Sequence, residues 1–206
     1  MDVSHSRNEW RLTLRGRCDD PLHRLIMVPT RFTHIDGEGN ARMVDITAKQ
    51  ETRRRAVAWC RVATGKSGAV APSMLTEAEV AARQAAKRVG TLVPLCHPLP
   101  LDGVWLRLAS DDEAVEVAAV VTTTARTGVE MEALTACAVA ALNVVGACGP
   151  SDAVVQELTL LEKSGGNSGS WRRKLAHPTH LQLAALAVWE GEGGTGSAPD
   201  PEGSAS

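Results

Sequence analysis

The chain has 206 residues, 44% of them apolar, which is enough to bury a sizeable core and fits one domain with appendages. A formal net charge of -2 and a pI near 6.3 give no general pull toward nucleic acid or an anionic lipid surface. One Phe, no Tyr and five Trp leave few platforms for stacking single-stranded bases, and no apolar run reads as a bilayer span.

Residues 1–32 show no clean hydrophobic period and carry several arginines among polar groups. They lack the apolar stretch of a secretory leader, so a cytoplasmic protein with an N-terminal extension is expected. The turn-rich Asp36-Gly37-Glu38-Gly39-Asn40 leads into a short extended segment, Ala41 to Ile46. Thr47 followed by Gln50 has the spacing of a capping box and predicts a helix from Ala48 to about Cys60, carrying Arg53, Arg54 and Arg55.

A second capping-box pair, Thr76 and Glu79, predicts a helix over about Glu77 to Val89, with Lys87 and Arg88 at its C-terminal end, where cations suit the helix dipole. Three prolines then fix Thr91 to Pro100 as an extended loop. Val104 to Leu108 and Val115 to Thr124 read as strands, the second almost wholly apolar before it turns threonine-rich. Thr127 and Glu130 open a long alanine-rich helix that should end near Gly149-Pro150, and Val154 to Leu161 forms the last strand before a glycine-rich run. Alternating helices and strands of this kind indicate an α+β sandwich over residues 33–175, with 176–206 a flexible C-terminal tail.

Two apparent motifs in that tail carry no chemistry. The spaced glycines from Gly191 to Gly196 follow no strand and open no helix, and His177 and His180 have no nearby carboxylate or thiol to complete a metal site. Cys18, Cys60, Cys96, Cys137 and Cys148 are odd in number and widely spaced, which favours buried thiols over disulfides or structural zinc.

Four segments, in order, carry a resemblance. They are Thr33-His34-Ile35 with Met43-Val44-Asp45-Ile46; Gln84-Ala85-Ala86-Lys87 leading to Pro94-Leu95-Cys96-His97-Pro98-Leu99; Thr127-Gly128-Val129-Glu130-Met131-Glu132-Ala133-Leu134-Thr135; and Lys163-Ser164-Gly165-Gly166. From Thr33 to Gly169 the chain resembles the cyclic pyranopterin monophosphate synthase family of molybdenum-cofactor biosynthesis. The resemblance implies a ferredoxin-like α/β plait and a homohexamer built from dimers. It also implies a substrate, a cyclised guanosine triphosphate made by a radical enzyme, which is converted to a cyclic pyranopterin phosphate with loss of diphosphate. No metal or organic cofactor is implied.

Such chemistry needs cations for the triphosphate and groups that move protons. The resemblance assigns catalysis to Arg54, Lys87, His97 and Glu130, and substrate binding to Leu95, Cys96, His97, Met131, Glu132 and Lys163. It also places Ala71, Gly146 and Gly149 where the family carries a lysine, an aspartate and a lysine, and Arg126 where it carries a lysine. Lys66 and Asp152 are the nearest candidates to substitute. A diverged enzyme acting on a related nucleotide, or a nucleotide-binding assembly subunit, is the alternative reading.

Overall fold

The computed structural model describes residues 40–65, 70–149, 151–174 and 184. In chain order these form β1 (Thr52–Ala63), α1 (Pro72–Ala86), α2 (Val89–Leu92), β2 (Gly103–Ser110), β3 (Ala114–Ala125), α3 (Glu130–Cys148), β4 (Val154–Ser164) and β5 (Trp171–Arg172). The strands make one antiparallel sheet in the order β2-β3-β1-β4-β5. Apart from the two-residue β5, this is the βαββαβ order of a ferredoxin-like plait, the expected α+β fold.

Residues 52–60 overturn one expectation. The helix expected over Ala48 to Cys60 is instead the central strand β1, and the Thr47 capping signal belongs to a turn in which the Thr47 N–H donates to Asp45 Oδ1 at 2.9 Å. The physical reason is burial on both sides: Ala56, Val57, Ala58, Trp59 and Cys60 are all buried, and a run apolar on both faces suits a strand flanked by β3 and β4. Local capping chemistry in four residues does not outweigh pairing with a strand on each side. The segment Ala41–Ile46 holds only an isolated bridge at Ala41.

Helix α1 starts earlier than expected, with Pro72 in its first turn, where the missing N–H costs nothing; Thr76 lies inside the helix and donates to Pro72 O at 3.1 Å. The strands β2, β3 and β4 and the long helix fall where expected. Helix α3 ends at Gly149, whose φ of 94° terminates it, but no side-chain cap forms at its start. Contrary to the expectation that no segment could span a bilayer, α3 is long and apolar enough to do so. It lies against the sheet, with Ala133, Ala136, Cys137, Ala140 and Val144 buried.

One sheet face packs on α1 and α3 through Ala56, Ala58, Cys60, Val117, Ala119 and Val121. The opposite face gathers Val57, Trp59, Ala118, Val120 and Leu161. The N-terminal extension, Thr33-His34-Ile35, Lys66, His177, His180 and the Gly191–Gly196 run lie outside the described residues. Of the expected tail, only Ala184 is described, and it is buried against the second face.

Candidate active site

The C-terminal ends of β3 and β4, the start of β1 and the N-terminus of α3 meet around a cavity of about 500 Å³. Antiparallel pairing brings them together: Arg54 sits opposite Thr123 on β3, and Ala56 sits opposite Lys163 on β4. The sheet therefore delivers two cations to one rim.

Arg54 is held by its surroundings. Its Nε donates to Ala125 O at 3.3 Å and Nη2 to Arg126 O at 3.0 Å, so the guanidinium is fixed before any ligand arrives. The loop after β4 closes on it. Gly165 and Gly166 have φ of 91° and 74°, and a β-carbon on Gly165 would strike the carbonyl oxygen of Arg53, while one on Gly166 would strike the Arg54 guanidinium. Gly165 is thus required by backbone space as well as conformation, while Gly166 leaves room for the guanidinium. Lys163 Nζ lies 3.3 Å from Glu130 Oε1 and donates to Ser168 Oγ at 2.7 Å.

The proline-rich loop forms the second wall. Cys96 N–H donates to Val93 O at 3.3 Å, closing a turn with Pro94 and Leu95 in the middle, and Leu95 has φ of 67°. Positive φ at the third position is that of a type II turn, which normally takes glycine or asparagine there. A leucine held in this region is strained, and strain of this kind concentrates at binding sites. The loop is pinned to β3 by the Asp102 N–H donating to Thr122 O, by Thr123 Oγ1 donating to Pro100 O, and by Thr124 Oγ1 donating to Asp102 Oδ2.

The third wall is the first turn of α3, whose leading N–H groups have no backbone partner within the helix and whose positive dipole end faces the cavity. Glu132 is only 4% exposed, and burial pushes its carboxyl up to about 7; the nearby Glu130 carboxylate adds to the rise, and a hydrogen bond from its own N–H opposes it. Near neutral pH it can both donate and accept. Burial and then Glu132 also push the Cys96 thiol up, so it faces the cavity as a neutral group.

Of the residues singled out from sequence, Arg54, Leu95, Cys96, His97, Glu130, Met131, Glu132 and Lys163 all line this one cavity. Lys87 does not; it is exposed at the C-cap of α1. The sequence reading missed Lys49, Asn167 and Ser168 as lining groups. Lys49 was hidden inside the false helix, and Ser168 shows its role only once Lys163 is seen to bond it. Arg126, noted only as a replacement, also lines the cavity and lies 3.8 Å from Glu51. Four cations thus face two carboxylates, one of them easily protonated, which makes the cavity suited to a polyanion.

Ala71, Gly146 and Gly149 lie elsewhere. Ala71 caps the start of α1, Gly149 caps the end of α3, and Gly146 lines a shallow groove with Met74, Glu77, Leu142, Asn143 and Ala147. Sixteen helical residues from Glu130 put Gly146 about 24 Å along the axis from the cavity. Asp152 is at that far end as well, its N–H donating to Gly149 O at 3.1 Å and its carbonyl lying against Gly65, so it does not enter the cavity of its own chain.

The sequence profile of the MoaC family matches residues 43–166. A protein of Streptomyces avermitilis named cyclic pyranopterin monophosphate synthase is 46% identical over 153 residues, covering 69% of this chain and 90% of that protein. One of the same name from Thermomicrobium roseum is 46% identical over 163 residues, covering 73% of this chain and 98% of its own. A Mycobacterium tuberculosis protein named cyclic pyranopterin monophosphate synthase 3 is 45% identical over 153 residues, covering 69% and 86%.

Proposed function

The chain belongs to the MoaC family, and from that premise we propose that it is a cyclic pyranopterin monophosphate synthase, a cytoplasmic lyase of molybdenum-cofactor biosynthesis. It converts a cyclised guanosine triphosphate, supplied by a radical enzyme, to cyclic pyranopterin monophosphate with release of diphosphate. The observation that carries this reading is the convergence of Lys163, His97, Glu130 and Glu132, with Arg54 of β1, on one cavity lined by residues of all four family-like segments.

In this reading Arg54 and Lys163, joined by Lys49 and Arg126, hold the triphosphate and stabilise the departing diphosphate. The fixed guanidinium of Arg54 limits the ordering needed on binding. Glu132 recognises the guanine-like edge, because a carboxyl near its titration point can match either a donor or an acceptor. The strained turn positions Leu95, Cys96 and His97 against the same ring, with Met131 packing beside them. His97 and Glu130 exchange protons with the substrate during ring opening and closure.

We also read the chain as a homo-oligomer, a homohexamer built from dimers. In support, β5 pairs only with Glu162 and Lys163, so the outer edge of β4 before them is not covered by β5, and Val154, Val155 and Leu158 are exposed along that strand. Light scattering showing a single monomeric mass would overturn this.

The activity is tested by incubating purified protein with enzymatically generated cyclised guanosine triphosphate and following diphosphate release together with the oxidised fluorescent pterin. Turnover that falls on Arg54→Ala and His97→Ala supports the synthase. Binding without turnover would replace it with a nucleotide-binding subunit. Lys87→Ala, outside the cavity, is the comparison whose loss of activity would extend the site toward the end of α1.

A further inference from the structure

The sheet has two faces, and α1 and α3 cover only one of them. The other carries an apolar strip of Val57, Trp59, Ala118, Val120 and Leu161, with Trp105 and Ala109 partly buried at its margin. A five-stranded sheet with one open face would expose Trp59; here Trp59 is 2% exposed and Val57, Ala118 and Val120 are fully buried. Ala184, the one residue described beyond Lys174, is itself 2% exposed and belongs to this same cluster.

The sequence around Ala184 has the composition such a face requires. Residues 181–188 read Leu-Gln-Leu-Ala-Ala-Leu-Ala-Val, with one polar residue, whereas the residues from Glu190 onward are mostly glycine, serine, proline and acids, with no large apolar side chain. Alanines on both sides, Ala118 and Ala184, permit close approach. The strip is bordered by charges that already have partners: Arg55 and Arg172 share Glu162 near one end, and Arg61 pairs with Glu116 near the other. A cover for it must therefore be apolar and narrow. The match to the family profile ends at residue 166, so Ala184 lies beyond the part of the chain shared with that profile.

We propose that the chain's own C-terminal stretch around Ala184 docks on the second face of the sheet, taking the place that a second copy or another partner would otherwise fill. The stretch is a built-in third layer over Trp59, and contacts between copies are made on other surfaces.

The test is hydrogen–deuterium exchange of the full-length protein, read on the peptide covering residues 177–190, in the wild type and in Ala184→Asp, with light scattering at two concentrations. Ala184→Asp places a carboxylate against the apolar strip while leaving the plait's own sequence intact, and circular dichroism checks that the plait remains folded. Docking predicts a protected peptide whose exchange is about tenfold or more faster in Ala184→Asp, at every protein concentration. A peptide that exchanges freely in the wild type, or one whose protection Ala184→Asp leaves unchanged, overturns the proposal. Protection that disappears on dilution together with a fall in mass also overturns it, because the cover then comes from a second copy.

Discussion

Arg54 and Gly166 occupy one space: the guanidinium fills the volume that any side chain at position 166 would take. The glycine is therefore part of the cation's socket, and its φ of 74° adds a conformational requirement to the steric one. Gly166→Ala should displace Arg54 from the carbonyls of Ala125 and Arg126. The expected outcome is at least about tenfold weaker binding of inorganic triphosphate, equivalent to one lost charge-assisted hydrogen bond, measured by calorimetry. Gly165→Ala meets the Arg53 carbonyl rather than a side chain, so it should lower thermal stability more than Gly166→Ala does.

Glu132 makes stability depend on pH. Its carboxyl titrates near 7 in the fold against 4.5 in the unfolded chain, so between these values the folded protein keeps a proton that the unfolded chain has released. That contribution is complete below about pH 4.5 and is lost as pH rises through 7, amounting to about 3 kcal/mol. Glu132→Gln should therefore raise stability at pH 8, and flatten its fall between pH 5.5 and 8, in urea unfolding. A slope equal to that of the wild type would assign the pH dependence to other groups.

Lys163 and Glu130 form an ion pair at 3.3 Å that an incoming phosphate must disturb. Glu130→Gln frees the ammonium, so triphosphate should bind more tightly while turnover falls. Lys163→Ala should weaken triphosphate binding by about 10- to 100-fold and reduce its salt dependence. Affinity unchanged in both variants would remove Lys163 from the anion site.

Leu95 is strained by its place in the turn, and the strain can be relieved by residues that tolerate positive φ. Leu95→Asn and Leu95→Gly should melt above Leu95→Val, since a β-branched residue is worst suited to this region. A difference of about 1 kcal/mol corresponds to about 2–4 °C at this chain size. Equal melting of all three would mean that the turn relaxes without cost.

Much of this architecture was readable in the sequence because it is written in burial and punctuation. The apolar β3, the alanine-rich α3 and the glycine at its end each announce themselves within a short window. The family-like segments likewise named most of the cavity, since Leu95 to His97 and Glu130 to Glu132 are contiguous. β1 is not legible locally because its local signals, a threonine and a glutamine at capping spacing, are short-range, whereas its identity is set by pairing with β3 and β4. Lys49, just before β1, is hidden in the same stretch. The displacement of Lys87 from the cavity, and of Gly146 and Gly149 to the far end of α3, depends on where helices end in space, which spacing along the chain does not convey.

The central position of β1 also governs the order in which the molecule can be made. Among the described strands it is synthesised first, yet one of its edges waits for β3 and the other for β4, where Arg55 meets Ser164. Until β3 has emerged, a strand apolar on both faces has no neighbour on either side. Both edges of β1 can thus be paired only after Ser164 has emerged, and a chain stalled before that point leaves the β4-facing edge open.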